Sequence, residues 1–169
     1  MASFEFNPQH AAFIEKNFTS GFKFRATMLM QLPMGYLSGM RVKELNENRC
    51  TVQLKYKWLN KNPFKSTFWA VMGIAAEMTT GALLMRYTYK QKPSISMLVG
   101  SQSGNFHKKG VGKMTFVCEA GQEIKAAVFR AAETGEAVQV TCPVKGYNSD
   151  KELICDFEFV WSLKARSKK

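Results

Sequence analysis

The 169-residue chain is poor in the residues that would announce most chemistries. It has only two histidines, His10 and His107, and no His-Glu-x-x-His zinc motif. Its four cysteines, Cys50, Cys118, Cys142 and Cys155, never come closer than the 13 positions between the last two. That excludes a Cys-x-x-Cys zinc or redox motif. Each thiol sits among apolar or alternating residues, where cysteine acts as a small hydrophobe. No metal and no cofactor are expected. Acids are scarce, 13 against 24 Lys plus Arg, which leaves a formal charge of +11. Such a balance favours an anionic partner or ligand without naming it. The N-terminus has no basic stretch followed by an apolar one, so no secretory signal is expected, and reduced thiols suit a cytoplasmic setting. Gly110-Val111-Gly112-Lys113 is too short for a phosphate-binding P-loop.

What is present suits one packed domain: 46% of residues are hydrophobic and 12% aromatic. Asn7-Pro8 reads as a helix cap followed by proline at the first helical position. Gly21 should break that helix, residues 22–32 should resume it, and Pro33 and Gly35 should close it. This helical segment spans residues 1–35, and the main domain takes residues 36–169. Strands are expected over residues 36–45 and 50–58, the second alternating strictly. Its aromatics should face the core, opposite the lysines. Residues 60–65 form a loop, and residues 66–85 a long helix of small and apolar residues, buried on every side. Strands over residues 94–106 and 111–119 are joined by the tight basic turn His107-Lys108-Lys109-Gly110. A short helix over residues 122–132 and strands over residues 136–145 and 152–164 complete the chain.

Glu77 is the only formal charge between Ser66 and Met85. A charge there argues against a membrane span and asks for a role. Its helical face is Ala70, Gly73, Ile74, Gly81 and Leu84, and the small residues allow a backbone or ligand to approach closely. A carboxylate in such a place acts as general base, nucleophile or water-orienting residue; the structural alternative is an ion pair at a subunit boundary. Free N–H groups at the helix start can receive a developing oxyanion. From Ser66 to Glu77 the helix runs roughly 16 Å, at ~1.5 Å per residue. One carbonyl cannot touch both ends, so a catalytic role calls for two antiparallel copies of the helix and therefore a homodimer. Pairing of dimers into a tetramer stays open.

The order helix, strand, strand, Asn-bearing loop, long helix, strands resembles the hotdog-fold acyl-CoA thioesterases, most closely the phenylacetate-degradation type and a neighbouring branch of unassigned function. The resemblance covers about residues 30–164. It rests on Asn62-Pro63-Phe64 leading into Phe68-Trp69-Ala70-Val71-Met72-Gly73-Ile74-Ala75-Ala76-Glu77, on Asn105-Phe106-His107-Lys108-Lys109-Gly110-Val111-Gly112-Lys113, and on the closing strand pair. It implies an α+β hotdog fold, with the long helix wrapped by a bent antiparallel sheet. It also implies hydrolysis of an acyl-CoA or other acyl thioester at a dimer interface. Glu77 falls on the family's helix acid and Asn62 on its Asn before the helix, the two expected catalytic residues. Thr80, Gly73 and Trp69 would line the substrate, with Thr80 orienting the Glu77 carboxylate, and Lys108 and Lys109 would meet the CoA phosphates. The family's His-Gly-Gly at the helix start falls on Phe68-Trp69-Ala70, where an indole replaces an open route. The alternative is therefore a non-catalytic acyl-binding or scaffold protein of the same fold. Lysines interleaved with aromatics from Lys55 to Lys92 raise nucleic-acid binding, which the expected inward aromatics of residues 50–58 disfavour.

Overall fold

The computed structural model describes residues 4–166. Three helices open it: α1 (Pro8–Thr19), α2 (Gly21–Gln31) and α3 (Pro33–Ser38). Then come β1 (Arg41–Leu45), β2 (Cys50–Lys55), a single 3-10 turn (Trp58–Asn60), α4 (Trp69–Thr88), β3 (Ile95–Phe106), β4 (Lys113–Cys118), α5 (Gly121–Thr134), β5 (Val138–Tyr147) and β6 (Leu153–Ala165). The Asn7 carboxamide accepts from the Gln9 N–H and Pro8 takes the first helical position, as the cap predicts. The break before α2 belongs to Ser20, which ends α1 and caps α2 by accepting from the Lys23 N–H.

Six antiparallel strands form one sheet in the order β1-β2-β4-β5-β6-β3. One face is buried: Val140, Cys142 and Val144 alternate with exposed residues along β5, and Cys155, Phe157, Phe159, Trp161 and Leu163 alternate with exposed or half-buried ones along β6. Helix α4 lies across β2 and β4 and packs beside α5, which covers β5 and β6. Its inner face contributes Met72, Ala75, Ala76, Thr79, Leu83, Leu84 and Tyr87 to the core. All four cysteines are free and buried, and burial pushes the Cys155 thiol up to about 12.

Four expectations need correction. Residues 36–40 are not strand. Pro33 starts α3, and Gly39 ends it at φ +79°, a conformation that suits glycine, before β1 begins at Arg41. The strand expected over residues 50–58 stops at Lys55, because the Asn60 carboxamide accepts from the Lys57 N–H and folds residues 58–60 into a turn. Trp58 is thereby 76% exposed rather than in the core. The basic turn after Phe106 does not make a hairpin. The N–H groups of His107 and Lys108 both donate to the Ile154 carbonyl, and the chain crosses to the other side of the β5–β6 pair, so β3 pairs with β6 alone. Finally, α4 starts at Trp69 rather than Ser66 and is not buried all round. Trp69 is 52% exposed, and Ala70, Gly73, Ile74, Glu77 and Gly81 form a stripe that the rest of the chain leaves at least partly open.

The turn between β1 and β2 is built by Asn46, whose carboxamide accepts from the N–H groups of Asn48 and Arg49. Gly121 sits directly against it, donating to the Asn48 carbonyl at 3.0 Å. A methyl group at Gly121 would collide with the Glu47 carbonyl and the Asn48 backbone. Gly121→Ala should therefore destabilise by about 1–3 kcal/mol. The measurement is thermal unfolding, with a fall in Tm of about 2–4 °C for each kcal/mol.

Candidate functional site

Two cavities flank α4, one at its middle and one at its start, and they share no lining residue. The first, about 420 Å3, lies between α4 and the pair α2–α3. Met28, Leu32 and Met34 form one wall, and Ile74, Met78 and Met85 another, with Met97 and Trp161 from the sheet. Glu77 stands in this apolar lining. The residue as a whole is exposed. The walls still take enough water from its carboxyl to raise its pKa above the ordinary carboxylate value. No hydrogen bond or neighbouring charge from the described residues offsets that burial.

Gly73 and Gly81 lie one turn either side of Glu77. A methyl at Gly73 would meet only the Phe157 ring, at 3.9 Å, and one at Gly81 would meet nothing. Packing within the chain does not demand glycine at either place. Thr80 does not orient the carboxylate. Its hydroxyl donates to the Glu77 backbone carbonyl at 2.9 Å and accepts from the Trp161 indole N–H at 2.9 Å. Its role is to tie α4 to β6 beneath the cavity.

The second cavity, about 340 Å3, is more open than the first and mixes polar with apolar residues. Asn62, Thr67, Trp69, Lys108 and Lys109 line it. The Asn62 side-chain oxygen, Oδ1, accepts from the Phe64 N–H, the Ser66 N–H and the Ser66 hydroxyl. It is committed to shaping the loop, and only its amide N–H2 is left to meet a ligand. The N–H groups of Thr67 and Phe68 are taken by the carbonyls of Gly110 and Asn60. Those of Trp69 and Ala70, in the first turn of α4, find no backbone carbonyl among the described residues. The Thr67 hydroxyl beside them is buried and has no partner among the described residues. Lys108 is paired with Glu152 at 2.7 Å on the surface, and the Lys109 ammonium rests 3.3 Å from the Phe64 carbonyl. His107 is bound to Asp156 at 2.6 Å, and hydrogen bonds from Asn105 and His107 hold that carboxyl below its usual range.

Every residue expected from the sequence except Thr80 thus lines one of these cavities or, like Gly73, flanks Glu77. One chain does not bring Glu77 and the helix start together: eight residues of helix, ~12 Å, separate Trp69 from Glu77. What the sequence did not disclose is the wall from α2 and α3. The methionine spacing in residues 28–34 was its only trace. Among the described residues no group of three His, Cys, Asp or Glu could hold a metal, and no helix is long and apolar enough to cross a membrane.

The fold is that of hotdog thioesterases. A probable thioesterase of unknown function, PA5026 from Pseudomonas aeruginosa, superposes with a TM-score of 0.73 at 14% identity, covering 89% of this chain and 99% of its own. The PaaI protein of the Escherichia coli phenylacetic acid degradation operon gives 0.64 at 9% identity over 96% and 99%. The thioesterase HI1161 of Haemophilus influenzae gives 0.59 at 11% identity over 83% and 88%. No curated protein matches the sequence. The family model of the domain of unknown function DUF4442 matches residues 23–163, and the chain belongs to that family.

Proposed function

We propose that the protein hydrolyses acyl thioesters of the acyl-CoA type, at sites shared between two copies of the chain, with Glu77 as general base. The observation that carries this is a carboxylate set in an apolar cavity without a partner among the described residues, its pKa raised by burial. A base is most effective when its pKa approaches the working pH, and an acyl chain is the substrate part that an apolar lining accepts. Glu77 takes a proton from water, the hydroxide adds to the thioester carbonyl, and the oxyanion collapses with cleavage of the C–S bond, the leaving thiolate taking the proton back from Glu77 to give acid and thiol. The Trp69 and Ala70 N–H groups of the second copy's α4 receive the oxyanion, with the Asn62 amide alongside. Lys108 and Lys109 stand at the rim for the carrier's phosphates.

The second copy has a place to attach. Strand β3 is a 12-residue sheet edge with no Lys, Arg, Asp, Glu or Pro, and it is exposed over most of its length. An uncharged edge of that length is a template for a further strand unless it is covered, and an antiparallel β3–β3 pairing supplies the twofold axis. Ser103→Pro removes one backbone donor and obstructs strand addition. It should shift the chain to monomer in analytical ultracentrifugation and remove hydrolysis with it. A monomeric variant with full turnover refutes the shared site.

A non-catalytic acyl-binding protein is the second reading, and the Trp69 indole at the start of α4 favours it. Both readings meet one experiment: a panel of acyl-CoA esters of increasing chain length, with free thiol read by a thiol reagent that the four buried cysteines do not confuse. Turnover in the wild type, lost in Glu77→Gln, supports hydrolysis. Binding without turnover supports the second reading.

A further inference from the structure

Three cations gather where α2 and α3 meet β1 and the 3-10 turn, and none of them lines either cavity. The Arg25 guanidinium lies 3.7 Å over the Tyr36 ring and donates to the Tyr36 carbonyl at 3.1 Å. The Arg41 guanidinium donates to the carbonyls of Gly39 and Met40 at 3.2 and 2.9 Å. The Lys57 ammonium lies against Gly39, so close that a side chain there would collide with it. All three residues are partly buried. Burial comes first in lowering the pKa of Arg41 and Lys57, and the neighbouring cations add to it. Among the described residues, no carboxylate pairs with any of the three.

Like charges brought together and partly desolvated repel each other, and a fold gains nothing by assembling them unless an anion completes the set. The donor supply fits that account. Each guanidinium has five N–H donors and spends a single nitrogen on carbonyls. The Lys57 ammonium contributes three more donors, and it makes no hydrogen bond among the described residues. Planar forks together with a point charge match the oxygens of a phosphate group. The Tyr36 ring lies under the Arg25 guanidinium, and Gly39, lacking a side chain, makes the room that the Lys57 ammonium occupies. The alternative is that the cations merely close the carbonyls at the end of α3. That explains one nitrogen each of Arg25 and Arg41, but not Lys57.

We infer that Arg25, Arg41 and Lys57 form a binding site for a phosphate group, unassigned until now and independent of the hydrolytic reading. A phosphate monoester of a nucleotide and the headgroup of an anionic phospholipid share this chemistry. The test is equilibrium binding at fixed ionic strength in phosphate-free buffer, with no turnover required. One arm uses pyrophosphate and adenosine 3′,5′-bisphosphate, followed by calorimetry. The other uses phosphatidylcholine vesicles with and without phosphatidic acid, followed by co-sedimentation. The wild type should bind in at least one arm, and that arm names the source. Lys57→Gln and Arg25→Gln should each weaken binding about tenfold or more. Lys164→Gln, which removes one exposed charge on β6 far along the sequence, should change it less than twofold. Without ligand, Lys57→Gln should keep or raise Tm, because it relieves repulsion. Absence of binding in both arms overturns the proposal. Equal weakening by Lys164→Gln also overturns it, since net charge would then account for the effect. So does a loss of Tm in Lys57→Gln with unchanged affinity, which would make the cluster structural.

Discussion

Glu77→Gln should lower the rate of acyl-CoA hydrolysis by about 10²–10⁴-fold, the usual worth of a positioned acid–base group, while substrate still binds. Glutamine keeps the shape and polarity of the side chain but has no basic oxygen. Because Glu77 lines the apolar cavity beside Met78 and Met85, the acyl pocket stays filled in the variant and the lesion falls on kcat rather than KM. Burial raises the Glu77 pKa. The acid limb of the wild-type rate profile should therefore lie above the ~4.3 of a free glutamate. A profile flat from pH 4 upward, or a variant that turns over normally, removes Glu77 from the chemistry.

The same substitution makes a prediction about stability with a definite sign. A carboxyl whose folded pKa is raised stabilises the fold when protonated. That contribution is complete below the unfolded pKa and is lost as pH rises through the folded one. At pH 7 the wild type carries a partly desolvated charge that glutamine does not. Glu77→Gln should unfold at a higher temperature than wild type near neutrality, and the gap should close toward pH 4. A residue that costs stability and supports the reaction is a common compromise at active sites. An equal or lower Tm at pH 7 would mean that Glu77 is held by contacts, as in the structural alternative.

Local pattern carried much of this in the sequence. The cap at Asn7-Pro8, the alternation in β5 and β6 and the run of small and apolar residues in α4 each have a short-range cause, and each element forms close to its cause, although α4 runs Trp69–Thr88 rather than 66–85. Partnership is a different matter. Alternation shows that a strand has one buried face but not which strand lies beside it, so the short link from β3 to β4 resembled a hairpin although it crosses the β5–β6 pair. Composition likewise does not separate a glycine pressed by its own sheet from one facing outward. Gly104 is tight against the Phe157 ring and Gly81 faces open space, yet both are simply small. Glu77 stood out because a charge amid apolar residues is costly wherever it falls. Arg25, Arg41 and Lys57 did not, because they meet only through the folding of α3 onto the 3-10 turn.

If each site joins Glu77 of one chain to the helix start of another, two inactive variants should restore activity on mixing. Trp69→Pro is the partner lesion for Glu77→Gln. Proline is accommodated at the first position of a helix, and Phe68 before it already has the extended backbone, at φ −61° and ψ 130°, that proline requires. The change removes one free N–H and leaves α4 in place. Loss of one such donor costs about 10²–10³-fold in rate. Trp69→Ala keeps the N–H and removes the indole, so it should remain active and separates the two effects. In a mixed dimer both lesions fall on one site and the other site is intact. Random exchange of equal amounts makes about half the dimers mixed, each with one working site of two, so about a quarter of wild-type activity should return. No recovery after exchange, verified by a tagged chain, would show that each chain completes its own site. The ~12 Å along α4 between Glu77 and Trp69 would then rule out the helix start as the oxyanion donor.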